Sequence, residues 1–330
     1  MLGEHAERKP FEYALDVTEL FVQAVSLNRR EWTAPAWGET SLRIGAVTYL
    51  NSKPLVEDLD QLLPHAQIEL DYPSRLAEGL AQGRLDVALI PSVEYFRDID
   101  YEIVSDSCVA AHGPVLSVKL YSRVAPGQVR KLAVDEGSRT SVALTRILLA
   151  ERYGVLPQIE PFPLTRSFAE TDADAILVIG DRAMAAPSEQ FAAVWDLAEE
   201  WNQWTGLPFV FAMWVVRADT PLGGAERALT AARDLGVARL AAIAEREAPH
   251  LNLPVPMAFQ YLSKNLHYQL GPAEQAGLKL FYQLASAQKL VPAGFRIVFR
   301  QTREEPRCAQ PQLVRPLSVG SVSALTGCPK

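Results

Sequence analysis

From Arg43 onward the chain alternates short apolar runs with amphipathic stretches, and this rhythm carries most of what the sequence predicts. Arg43–Val47 reads as a strand, Pro54–Leu62 as a helix and Ile68–Tyr72 as a second strand. Ser74 is placed to cap a helix over Arg75–Gln82, which Gly83 stops. Asp86–Ile90 is apolar enough for a buried strand and runs straight into Pro91, Ser92 and a helix through Phe96. Strands spaced by helices in this way predict an α/β fold with a parallel sheet and right-handed crossovers. Further strands are expected at Val115–Tyr121, Leu132–Val134, Ile159–Phe162, Ala175–Ile179 and Pro208–Val216, with a strong helix over Val142–Tyr153. The rest reads as helical, over Ala225–Glu247, Phe259–Tyr268 and Ala273–Gln288.

That order suggests two lobes. Residues 42–123 and 206–301 would build the first, and residues 124–205 would be inserted as the second. Tyr121–Val124 and Phe209–Val216 are the expected crossings between them. Residues 1–41 look like an extension, with one amphipathic helix over Phe11–Leu27 and a linker at Trp32–Gly38. Residues 302–330, with four prolines and scattered charge, read as a flexible tail.

Composition narrows the function classes. At 330 residues and 48% hydrophobic, the chain can bury the cores of two lobes. A net charge of −7 and the lack of any Lys/Arg-rich run argue against a nucleic-acid partner and leave a small anion open. Cys108, Cys308 and Cys328 have neither zinc spacing nor a disulfide framework, which fits a reducing, cytoplasmic setting. Met1–Lys9 is charged and lacks the apolar segment of a secretory signal. No run of about 18 uncharged apolar residues predicts a membrane span. His5, His65, His112, His250 and His267 show no ligand spacing, so no metal is expected, and no phosphate loop or nucleophile elbow occurs.

Candidate chemistry gathers at four strand-to-helix junctions that end in small polar residues: Thr48–Ser52, Pro91-Ser92, Gly137–Ser141 and Gly180-Asp181. In open α/β sheets, ligands bind at such strand ends. Ser138, Thr140 and Ser141 cluster where a helix begins, and unpaired amides together with the helix dipole favour an anion there. Plain N-capping by Ser138 is the simpler alternative. Asn51 both donates and accepts hydrogen bonds without carrying charge.

Ile44–Asn51 with Lys53-Pro54-Leu55, the Asp86–Ser92 run, Gly113-Pro114-Val115 with Ser117-Val118, Ser138-Arg139-Thr140-Ser141, Ile179-Gly180-Asp181 and Thr205–Val210 together resemble one family, the chorismate dehydratases of the futalosine route to menaquinone. The resemblance covers about residues 42–300. It implies a two-lobed fold like the type II periplasmic binding proteins, with the ligand cleft between the lobes. It also implies a cytoplasmic, cofactor-independent lyase that converts chorismate to 3-[(1-carboxyvinyl)oxy]benzoate and water. On this resemblance Asn51 and Ser92 are the catalytic candidates, while Tyr49, Gly113, Ser138, Thr140, Ser141, Gly180 and Asp181 are the substrate-binding ones. The base stays open between Asp181, which would repel a dianion unless hydrogen-bonded elsewhere, and a carboxylate of the substrate itself. Two alternatives stand beside this reading: the sister 1,4-dihydroxy-6-naphthoate synthases of the same fold, and a non-catalytic cytosolic binder of a small carboxylate. A homodimer is compatible with the sequence, which does not fix the oligomeric state.

Overall fold

A computed structural model describes residues 41–98, 100–184 and 190–300. The expected helix at Phe11–Leu27, the linker at Trp32–Gly38 and the tail with Cys308 and Cys328 lie outside the described residues. Along the described chain the strands are β1 (Arg43–Val47), β2 (Gln67–Asp71), β3 (Val87–Pro91), β4 (Tyr101–Ala111), β5 (Val118–Ser122), β6 (Lys131–Asp135), β7 (Gln158–Phe162), β8 (Ala175–Ile179), β9 (Ala193–Asp196), β10 (Phe209–Arg217) and β11 (His267–Gln269). The helices are α1 (Leu59–Leu62), α2 (Pro73–Ala81), α3 (Ser92–Tyr95), α4 (Thr140–Tyr153), α5 (Leu197–Thr205), α6 (Ala225–Ala238), α7 (Leu240–Glu247), α8 (Val255–Gln260) and α9 (Pro272–Ala287). No helix among the described residues is long and apolar enough to cross a membrane.

The strands form two sheets, ordered β11-β4-β10-β3-β1-β2 and β7-β6-β8-β5-β9. β1 lies parallel between β2 and β3, with Ile44 opposite Ile68 on one side and Val87 on the other. β6 likewise lies parallel between β7 and β8. Every residue of β3 and of β8 is buried, as expected of strands covered on both faces. β10 returns antiparallel between β3 and β4, and β5 runs antiparallel to β8 and β9. The four expected junctions are therefore the ends of β1, β3, β6 and β8, two in each sheet.

Several elements differ from the sequence reading, each for a physical reason. β4 has no counterpart in it, because Ser105, Asp106 and Ser107 interrupt the apolar pattern. In the fold these polar groups satisfy one another: Ser105 Oγ donates to Ser107 Oγ (3.0 Å), and Asp106 pairs with Arg233 of α6 (3.3 Å). The chain does not change sheets at Tyr121–Val124, since β5 already pairs in the second sheet; residues 112–117 make that passage and 206–208 the return. The helix expected at Pro54–Leu62 is a 3-10 turn over Leu50–Leu55 followed by α1, separated by Asp58 at φ 53°. Ser74 is not a cap; α2 begins one residue earlier, at Pro73. The single helix expected over Ala225–Glu247 breaks at Arg239, whose guanidinium pairs with Asp58 (2.9 Å). Phe259–Tyr268 is not one helix either: α8 passes into a π-helical turn at Tyr261–Asn265 and then into β11.

α6 packs on the 3-10 turn Leu50–Leu55 through Gly236, where an alanine Cβ would overlap the Pro54 backbone carbonyl. Backbone cannot yield as a flexible side chain does. Gly236→Ala is therefore expected to lower stability by about 1–3 kcal/mol, read as a reduced denaturant midpoint with an unchanged m-value.

Candidate active site

Between the ends of the two sheets lies a cavity of about 530 Å³, including its part open to solvent. Tyr49, Asn51 and Pro91 reach it from the first sheet, and Gly137–Ser141 and Gly180 from the second. Ser117, from the passage between the sheets, completes the polar wall, and Val47, Val109, Val118, Ile179 and Phe211 make much of the rest apolar. Arg139 is the one charged residue among the lining residues.

Three polar atoms on this wall are buried without a hydrogen-bond partner: Tyr49 Oη, Asn51 Oδ1 and Ser138 Oγ. Leaving such atoms unsatisfied costs on the order of 1–3 kcal/mol each, so their convergence on one cavity marks a ligand site rather than packing. Burial, with the Asp135 charge nearby, pushes the Tyr49 phenol up, so it remains a neutral donor. Its ring fits only because Gly180 carries no side chain. A Cβ at Gly180, which sits at φ 72°, would come within 2.5–2.8 Å of that ring. One aromatic contact flanks this region, Tyr49 against Tyr72 with ring centroids 5.9 Å apart.

The Gly137–Ser141 turn opens α4, a helix of 14 residues whose first amides face the same end of the sheet. Ser138 is not its N-cap: Arg139 occupies that position and no side chain caps the helix, which leaves the Ser138 hydroxyl free. Thr140 Oγ1 accepts from the Val93 amide across the cleft (3.2 Å). Arg139 Nη2 reaches Glu78 of α2, also across the cleft (3.0 Å). Behind the turn, the fully buried Asp135 carboxylate accepts from Gly137 N (3.0 Å), Ile179 N (3.2 Å) and Arg182 Nη2 (2.6 Å). Burial pushes its carboxyl up, and Arg182 pulls the other way.

The structure brings Tyr49, Asn51, Ser138, Thr140, Ser141 and Gly180 together on the wall. Three other expected residues lie off it. Ser92 is fully buried behind Thr140, with its hydroxyl donating to Val210 O (2.7 Å) and standing 3.4 Å from Thr140 Oγ1. Gly113 serves the passage between the sheets at φ 100°. Asp181 points to the Leu50 amide instead. The residue that sequence reasoning missed as a site group is Ser117, whose Oγ is 2.7 Å from the buried Tyr261 hydroxyl. Burial pushes the Tyr261 phenol up, and Asn51 lies within its hydrogen-bonding surroundings. The nearby Ser117-Val118 pair was a signal for it, but the backbone that aims it, Leu116 at φ 63°, has none in the sequence. Among the described residues no three His, Cys, Asp or Glu side chains gather as metal ligands.

A family model described as menaquinone biosynthesis matches residues 42–287. The chain belongs to the menaquinone biosynthesis family. Within the family, a chorismate dehydratase from Thermus thermophilus is 33% identical over 260 residues, covering 72% of this chain and 93% of the relative. A second, from Campylobacter jejuni, is 29% identical over 174 residues, covering 51% of this chain and 64% of the relative. Among solved structures, the periplasmic aliphatic sulphonate binding protein of Escherichia coli superposes with a TM-score of 0.55 at 17% identity, covering 87% of this chain and 99% of that one. A protein from Archaeoglobus fulgidus reaches 0.60 at 16% identity, covering 77% and 100%. At these identities the structural likeness speaks to fold alone: this member of the menaquinone biosynthesis family has the two-lobed periplasmic-binding-protein-like architecture, with its cavity between the lobes.

Removing an unpartnered hydroxyl should not weaken the free protein. Ser138→Ala and Tyr49→Phe are expected to leave unfolding free energy within about 1 kcal/mol of wild type or slightly above it. Both should reduce the thermal shift produced by a bound dicarboxylate, measured by calorimetry with and without ligand.

Proposed function

We propose that the chain is a chorismate dehydratase, a hydro-lyase that converts chorismate to 3-[(1-carboxyvinyl)oxy]benzoate and water. The observation that carries this reading is the convergence of Tyr49 Oη, Asn51 Oδ1 and Ser138 Oγ, all unpartnered, on a cavity whose lining holds one charged residue. Such a wall suits a ligand with several oxygen functions, and the Thermus thermophilus chorismate dehydratase lends the substrate.

The reaction breaks the C3–H and C4–O bonds of the ring, and aromatisation drives it. The C3 proton is acidic because the diene conjugates it to the ring carboxylate, so negative charge spreads onto that carboxylate in the transition state. In this reading the carboxylate lies at the start of α4, against Ser138, Thr140 and Ser141, whose fixed donors stabilise the developing charge. Tyr49 donates to the same end of the substrate. Asn51 and Ser117 hold the C4 hydroxyl, with Ser117 oriented by Tyr261. Ser92 acts indirectly, by fixing Thr140.

The lining residues include no carboxylate and no imidazole. The base in this reading is therefore the substrate's own enolpyruvyl carboxylate, tethered to C3 through the ether oxygen. The proton it takes from C3 is the one the departing hydroxyl needs. Loss of water then balances with no protein group changing its charge, and the elimination requires no redox partner. Contacts across the cleft exclude solvent and fix the reacting geometry.

The test is direct. The purified full chain is incubated with chorismate, and mass spectrometry follows the loss of one water; no such product would overturn the reading. Asn51→Ala and Ser117→Ala are expected to lower kcat by about 10²–10³-fold. Ser92→Ala should cost less than about tenfold in kcat while lowering stability, because it strands the Val210 carbonyl.

A further inference from the structure

Asp181 lies beside the cavity but not on it, and its two carboxylate oxygens sit 3.2 and 3.3 Å from the Leu50 amide nitrogen. Asp181 follows β8 in the second sheet, whereas Leu50 begins the 3-10 turn after β1 in the first, so this hydrogen bond spans the cleft. Leu50 stands between Tyr49 and Asn51, both of which carry unpartnered polar atoms on the cavity wall. Its amide belongs to the first turn of a helix and has no acceptor within that helix. We propose that Asp181 is the positioning residue of this site: by accepting the Leu50 amide across the cleft it fixes the turn that presents Tyr49 and Asn51, and it does so only when the lobes are closed.

The alternative roles fit the geometry less well. As a substrate ligand, Asp181 would set a carboxylate against a dianion, and it is absent from the wall. As a base it would need to reach the ring, but its carboxylate is turned to the Leu50 amide and does not line the cavity. Its ionisable and charged surroundings are Lys53 on the 3-10 turn, Glu247 at the end of α7, Tyr49 beside β1 and Tyr261 on the π-helical turn. Lys53 Nζ is 3.6 Å from Glu247 Oε2, so its charge is shared between the two acids.

Closure also becomes proton-linked. Burial raises the Asp181 carboxyl from 3.8 to about 6, with the Leu50 amide and Lys53 opposing the shift. In open lobes, where water reaches Asp181, the ordinary value applies, so closure takes up a proton in the window between the two values. Closure is favoured as pH falls through the raised value and disfavoured as pH rises above it. Between about pH 7.5 and about pH 5.5, this linkage is worth about a fourfold gain in affinity for a ligand that closes the lobes.

The assignment rests on the dehydratase reading for its kinetic arm only. Two variants of the full chain separate acceptor from charge: Asp181→Asn keeps an oxygen for the Leu50 amide, and Asp181→Ala removes it. In hydrogen exchange on the full chain held closed by saturating benzene-1,3-dicarboxylate, Asp181→Ala is expected to lose about tenfold or more of the protection at Leu50, while Asp181→Asn stays within about threefold. With chorismate, Asp181→Ala should lose about tenfold or more in kcat with KM within about threefold, and Asp181→Asn should restore most of kcat. The pH dependence of affinity should be present in wild type and flat in Asp181→Asn. Unchanged protection and turnover in Asp181→Ala would overturn the assignment, as would an Asp181→Asn variant as slow as Asp181→Ala or one that keeps the pH dependence. The exchange arm follows no turnover, so an inactive wild type would defeat the dehydratase reading while leaving this one to stand or fall on protection.

Discussion

The Asp135 carboxylate is the point on which the second lobe's share of the site depends. It is fully buried, and its partners come from both turns that face the cavity: Gly137 N from the turn before α4, and Ile179 N and Arg182 from around the end of β8. One group thus sets the spacing between the α4 amides and Gly180. Buried ion pairs seldom add net stability, because desolvation offsets attraction, but removing one partner typically costs about 3–5 kcal/mol. Here the pair acts chiefly as a spacer. Tyr49 packs where a side chain at Gly180 would meet its ring, and Asp135 holds the neighbouring Ile179 amide, so a contact inside one lobe bears on what the other can insert.

Donors, rather than cations, explain how a chain of net charge −7 can hold a dicarboxylate. The lining residues offer hydroxyls, an amide and the opening amides of α4, with Arg139 as the single charged group and already paired to Glu78. In a cleft with little water such dipoles are worth far more than on a surface, and they need no counter-charge when the cavity is empty. Buried cations would have to be neutralised in the free protein. Unpartnered hydroxyls carry a smaller penalty, and the cavity wall shows that penalty at Tyr49, Asn51 and Ser138.

How much of this was legible in the sequence follows from the range of the forces involved. Strand ends and helix starts are local, so the four junctions could be read from hydrophobic spacing and turn residues, and all four converge. β4 was not legible, because its Ser105-Asp106-Ser107 break is repaired by α6, more than a hundred residues away. Ser92 and Ser117 are both small polar residues near strand ends. Only the third dimension turns Ser92 toward the Val210 carbonyl and Ser117 toward the cavity and Tyr261. Asp181 was a substrate-binding candidate through the family resemblance; its acceptor role needs Leu50, 131 positions earlier. The break at Arg239 was likewise hidden, since its partner Asp58 lies 181 positions earlier, beside Glu57.

Motion between the lobes has its own anchor. Both passages of chain between the sheets are tied to α5. Its N-cap Asp196 accepts from Val115 N (2.9 Å) and Leu116 N (2.6 Å) in the first passage, and from Ala198 and Glu199 at its own start. In the second passage, Trp201 Nε1 donates to Pro208 O (3.2 Å) and Asn202 Nδ2 to Leu207 O (3.2 Å). α9, which belongs with the first sheet, seats Gly277 against the same Pro208 carbonyl, where a Cβ would overlap it. Both passages are thus fixed at α5 by side-chain hydrogen bonds rather than left as loose linkers. Ser117 ends the first passage and is held by Tyr261 of the first lobe, with Asn51 close to the same hydroxyl, so this part of the polar wall goes with the first lobe. Ser138, Thr140 and Ser141 come from the second lobe, so the polar wall is complete only where the two lobes meet.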